Sequence, residues 1–196
     1  MKLLLTSAGF LNPEVKNTFL KLLDKPIDQI HLVFIPTASR TEEELKYVKI
    51  SRQELASLGI KHITTLNLDR RVTVEDIKAD VIYVCGGNTF YLLQKIRESG
   101  FDTLLPTFDG LYIGVSAGSI VVGPNIEVSG PWDENDVNLS DTTGLNIVNF
   151  ALIPHYQRKE KEIVEDLRNH ADYEIIELTD NQAMLVGDGG RDIIGG

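Results

Sequence analysis

Apolar residues fall along this chain in short continuous runs separated by amphipathic stretches. The first run, Lys2 to Thr6, predicts a strand closed by Ser7-Ala8-Gly9. Asn12-Pro13-Glu14 then has the order of a helix start: a capping side chain, a proline in the first turn, and an acid near the positive dipole end. Val15, Phe19, Leu22 and Leu23 follow on one helical face. His31 to Ile35 predicts a second strand. Thr41-Glu42-Glu43-Glu44 is a capping box, and Leu45, Val48, Leu55 and Leu58 are the expected buried stripe of the helix it opens, which stops at Gly59. A third strand is expected over Ile60 to Leu68 and a short helix over Thr73 to Lys78. Asp80 to Cys85 reads as a fourth strand, Thr89 to Ser99 as a helix, and Leu111 to Val115 as a further strand.

Strands that alternate with helices and are apolar on both faces predict an α/β fold, a three-layer, mostly parallel sheet with helices on both faces. Right-handed crossovers then gather the strand C-termini on one rim, where open sheets bind ligands. After Ser119 the rhythm changes. Ser129 to Asp136 is a polar, turn-rich loop, and Leu145 to Pro154 is apolar and delivers His155. Gln157 to Asn169 predicts a charged helix with Ile163, Val164 and Leu167 as its buried stripe. Tyr173 to Leu178 predicts a strand, and Ala183 to Val186 with Asp192 to Ile194 a closing hairpin with a glycine-rich turn.

No linker divides the 196 residues, so one domain spanning 1–196 is expected. The formal net charge of −10 repels phosphate backbones and anionic lipid, which argues against nucleic acid or a membrane as partner. No run approaches the roughly 20 apolar residues that span a bilayer, and Met1 to Leu5 reads better as a strand than as a leader. The one cysteine, Cys85, allows no internal disulfide and fits a reducing compartment.

The candidate chemistry begins at Gly114-Val115-Ser116-Ala117-Gly118. Gly-x-Ser-x-Gly after an apolar run is the pattern of a nucleophile elbow, a strained turn that exposes a serine between strand and helix. Gly86-Gly87-Asn88, at the end of the strand before it in sequence, offers backbone N–H groups at a close approach. With the N–H of Ala117 these form a possible oxyanion hole, each donor being worth roughly 3 to 4 kcal/mol in a transition state. A serine hydroxyl needs a base to take its proton. Of His31, His62, His155 and His170, only His155 follows a buried strand into a rim loop. An acid must orient that base. Asp180 ends the next strand and is the geometric favourite, with Asp133, Glu134 and Asp136 as rivals.

Together, the elbow, Cys85-Gly86-Gly87-Asn88-Thr89-Phe90 and Leu152-Ile153-Pro154-His155-Tyr156 resemble the peptidase E family of aspartyl dipeptidases, relatives of the cyanophycinases. The resemblance implies a fold related to class I glutamine amidotransferase domains, flavodoxin-like, and a cytoplasmic serine peptidase that uses neither metal nor cofactor. It implies a small peptide substrate, dipeptides with N-terminal Asp, and leaves monomer and homodimer open. Carried over, it gives Ser116 as nucleophile, His155 as base, and Gly87 and Ala117 as oxyanion donors. The family's third member is a glutamate; Asp180 stands in that place, one methylene shorter, with Asp133 as the alternative triad acid. Asn88 and Arg158 are the candidate substrate contacts, Arg158 because a guanidinium suits a carboxylate. The other class considered is a catalytically silent ligand-binding or regulatory domain on the same scaffold.

Overall fold

A seven-stranded sheet in the order β3-β2-β4-β5-β1-β8-β9 runs through the chain. Its strands are β1 (Lys2–Thr6), β2 (His31–Ile35), β3 (His62–Thr65), β4 (Val81–Val84), β5 (Leu111–Val115), β8 (Ala183–Gly187) and β9 (Gly190–Ile194). The computed structural model describes residues 1–187 and 189–196. The first five strands in that spatial order are parallel, and the closing hairpin β8–β9 adds an antiparallel edge. The predicted glycine-rich turn of that hairpin includes residue 188, which lies outside the described residues.

Alternation along each strand sends side chains to two cores. Leu4, Phe34, Tyr83 and Ile113 pack with Val15 and Phe19 of α1 (Pro13–Leu22) and Leu55 of α2 (Glu42–Ser57). Leu3, Leu5, Ile82 and Tyr112 pack on the other face with Leu93 and Ile96 of α3 (Thr89–Ser99) and Phe101 of α4 (Phe101–Leu104). Both expected caps form: the Asn12 side chain accepts from Glu14 N–H, and Thr41 and Glu44 make the full capping box of α2. Leu45 of the predicted stripe is exposed.

The third strand is shorter than expected because its neighbour β2 ends at Pro36. Leu66 N–H makes a last bond to Phe34 O, and Leu68 N–H then turns to the Thr37 hydroxyl. Over Thr73 to Lys78 only a 3₁₀ turn forms, at Glu75–Ile77.

The second half departs further. β6 (Phe150–Ile153) and β7 (Glu174–Glu177) do not join the main sheet; they form a separate two-stranded parallel sheet. It packs through Ala151, Leu152 and Ile175 onto the core that also holds Ala117 and Ile120 of α5 (Ala117–Ile120). α6 (Lys161–His170) is preceded by a 3₁₀ turn at Arg158–Glu160. Its buried line is Val164, with Leu167 half-buried and Ile163 exposed, because only this narrow line reaches the core.

Candidate active site

Neighbouring strands β4, β5 and β1 bring three segments to one rim. Their registers set Val84 beside Gly114 and Thr6 beside Val115. Gly86–Gly87, Ser116 and Ser7, which follow these strands, therefore lie side by side.

Ser116 has φ 48 and ψ −110, a strained conformation for a residue with a Cβ. The flanking glycines permit it. A Cβ on Gly114 would stand 2.5 Å from Gly118 O, and one on Gly118 would collide with Val84 O. Each glycine is thus required by backbone-to-backbone packing. Gly87 has φ 133, and a Cβ there would collide with Ala38 O. Among the described residues neither the Gly87 N–H nor the Ala117 N–H meets an acceptor.

The small sheet supplies the other side. Parallel pairing of Ile153 with Glu177 continues in the bonds Leu178 N–H to Ile153 O and Tyr156 N–H to Leu178 O. The loops carrying His155 and Asp180 consequently leave the same end together. His155 Nε2 lies 3.1 Å from Ser116 Oγ, and its Nδ1 lies 2.6 Å from Asp180 Oδ1. A proton on Nδ1, the tautomer an adjacent carboxylate favours, leaves Nε2 to accept from the serine hydroxyl. His155 itself has φ 60, a left-handed backbone that aims its ring at the elbow.

Asp133 does not contact the imidazole. Its Oδ2 accepts from the Thr89 N–H at the start of α3, and burial pushes its carboxyl above the usual range despite that bond. Its loop is tied down elsewhere too. Asn88 Nδ2 donates to Glu134 O, Arg40 pairs with Asp136, and Trp132 Nε1 donates to Glu160. Of the acids that rivalled Asp180 in the sequence, Asp133 and Asp136 are thus engaged through their carboxylates, and Glu134 fastens the loop through its backbone carbonyl.

Asn88 is likewise occupied: its oxygen accepts from Tyr91 N–H and caps α3. Arg158 is exposed and lines neither of the two cavities that open onto Ser116 and His155. The larger cavity, about 440 Å³, lies between the Gly86–Gly87 turn and α2; the smaller, about 230 Å³, lies under Trp132. Among the described residues no group of three or more His, Cys, Asp or Glu side chains is arranged to hold a metal ion. Among the described residues no helix is long and apolar enough to cross a membrane.

Sequence reasoning missed Ser7. Its hydroxyl accepts from the His155 backbone N–H at 2.7 Å and lies 3.5 Å from Asp180 Oδ1. Nothing near Ser7 in sequence signals this, since its partners lie 148 and 173 residues away.

The family model for peptidase family S51 matches residues 3–194. An uncharacterized peptidase of Listeria monocytogenes is 40% identical over 146 residues, 69% of this chain and 71% of its own. A protein named Peptidase E from Salmonella newport is 31% identical over 184 residues, 84% of this chain and 76% of its own. A crystal structure of a Listeria monocytogenes protein provisionally named peptidase E superposes with a TM-score of 0.78 at 31% identity, covering 98% of this chain and 96% of that one. The chain belongs to peptidase family S51 and is a serine-type peptidase with an α/β fold.

Proposed function

We propose that this S51 peptidase hydrolyses small peptides through a Ser116–His155–Asp180 triad, with the N–H groups of Gly87 and Ala117 as the oxyanion hole. The observation that carries the reading is the continuous chain of contacts from Ser116 Oγ to His155 Nε2 and from His155 Nδ1 to Asp180, at 3.1 and 2.6 Å. In the first step Ser116 Oγ bonds to the scissile carbonyl carbon while its proton passes to Nε2. The carbonyl oxygen takes the negative charge toward the two N–H groups, and the ionised Asp180 stabilises the imidazolium. The C–N bond then breaks as Nε2 returns the proton to the leaving amine. Water, deprotonated by the same imidazole, attacks the acyl-enzyme and frees Ser116.

The sharp elbow between a parallel strand and a short helix supports the proposed kinship with class I glutamine amidotransferase domains, and a match along nearly the whole chain supports reading it as one unit. The resemblance also carries a preference for N-terminal Asp. That preference requires a cation beside the scissile bond, and Arg158, the residue the sequence offers, stands outside both cavities.

A fluorophosphonate probe should label Ser116 in the native chain and not in Ser116→Ala or His155→Ala. Ser116→Ala should lower kcat on any cleaved dipeptide by about 10⁶ with its fold intact. Full turnover in that variant would reject the mechanism, and an unlabelled Ser116 would favour the silent binding domain.

A further inference from the structure

The larger cavity beside Ser116 is bounded by α2 and by the turn after β1. Its mouth is formed by Leu11, Tyr47 and Ile50, which are 66%, 63% and 55% exposed, with Val48 deeper in the wall. Large apolar side chains left open to water around a concave site are explained by a ligand that covers them.

The charges on the same walls have one sign. Glu44, Glu54 and Asp180 line the larger cavity, and Asp133 and Glu160 the smaller. Among the described residues no arginine or lysine lines either. The nearby cations are engaged: Lys16 Nζ pairs with Glu54 at 2.8 Å, and Arg40, which follows Ser39 of the wall, pairs with Asp136 at 2.8 Å. Hydrogen bonds from the N–H groups of Arg40 and Thr41 to Glu44 Oε2 outweigh burial and keep that carboxyl ionised. Oε1 of the same carboxylate meets no donor among the described residues.

Resting on the hydrolase reading above for its site, we propose that the substrates are peptides with a free N-terminal ammonium and a bulky apolar residue at the scissile bond, and that acidic residues there are disfavoured. The apolar walls bury the side chain, the acidic rim attracts the ammonium, and a substrate carboxylate would enter a field of its own sign.

Binding to Ser116→Ala separates specificity from catalysis. By calorimetry at low salt, Phe-Ala or Ala-Phe should bind at least about tenfold tighter than Asp-Ala. Tyr47→Arg in the same background, which puts a cation at the mouth, should narrow that ratio severalfold. Equal or tighter binding of Asp-Ala, no binding of any of the three, or a ratio indifferent to Tyr47→Arg would overturn the proposal. Tight binding of a Phe peptide that the native chain fails to cleave would support it while rejecting the hydrolase reading alone.

Discussion

The hydroxyl of Ser7 accepts the backbone N–H of His155 at 2.7 Å, so the end of the first strand holds the loop that carries the imidazole. His155 sits at φ 60, where a non-glycine backbone is held at a cost of about 1 kcal/mol or more. Ser7 itself is fully buried and anchored by its N–H to Gln182 O, two residues past Asp180. It would therefore act as a positioning residue for the base and the acid of the proposed triad together. Ser7→Ala should lower kcat by about 10- to 100-fold, as expected for a small misplacement of a catalytic group, with KM nearly unchanged. A purely structural role would instead lower the amount of folded protein and leave kcat per folded site intact. Active-site titration with a fluorophosphonate distinguishes the two.

The two aspartates proposed from sequence should part sharply on mutation. Asp180 meets His155 Nδ1, so Asp180→Ala should reduce kcat by about 10⁴, the loss typical of an imidazole left in the wrong tautomer. Asp133→Asn keeps an oxygen for the Thr89 N–H and should hold kcat within about threefold. Its stability should differ from the native chain in a pH-dependent way. Burial raises the folded Asp133 carboxyl above its unfolded value, so ionisation penalises the folded state, and this penalty grows as pH rises through the carboxylate range. Asn carries no such penalty. The variant should therefore gain relative to the native chain as pH rises from about 4, the unfolded carboxyl value, through the raised folded one, read by urea unfolding at each pH.

Much of the candidate site is legible in the sequence because its constraints are local. Gly114 and Gly118 flank Ser116 since the elbow packs backbone against backbone, a need that only glycine meets and that appears as a spacing. His155 is legible because an apolar run delivers it to a loop. What fails to show is whatever depends on how distant pieces dock. The runs Leu145 to Pro154 and Tyr173 to Leu178 look like further strands of one sheet, and nothing in their composition reveals that they pair only with each other. Asp133 and Asp180 are both acids in polar turns. Thr89 claims the first and His155 the second through contacts 44 and 25 residues apart. Arg158 fits a carboxylate by chemistry alone, and only the placement of its 3₁₀ turn takes it out of the cavities.

At the opposite rim, Asp80 fastens the N-terminal ends of two strands. One oxygen accepts the His31 N–H at 3.0 Å and the other pairs with Lys25 Nζ at 2.6 Å. Burial alone would raise this carboxyl, but the His31 and Lys25 contacts outweigh it and hold it below the usual range. A depressed carboxyl contributes stability that is present above its unfolded value, about pH 4, and is lost as pH falls through the folded one. Asp80→Asn retains an acceptor for His31 and loses the charge, so it should cost about 1 kcal/mol at pH 7. That gap should shrink as pH falls below the unfolded value and through the depressed folded one, where the native carboxyl is itself protonated. Peptide hydrolysis at 25 °C should be unaffected, because Asp80 lies at the strand ends away from Ser116. A gap that stays constant as pH falls through the whole acid range in which the native chain remains folded would place the contribution of Asp80 in its shape and neutral hydrogen bonds, and not in its charge.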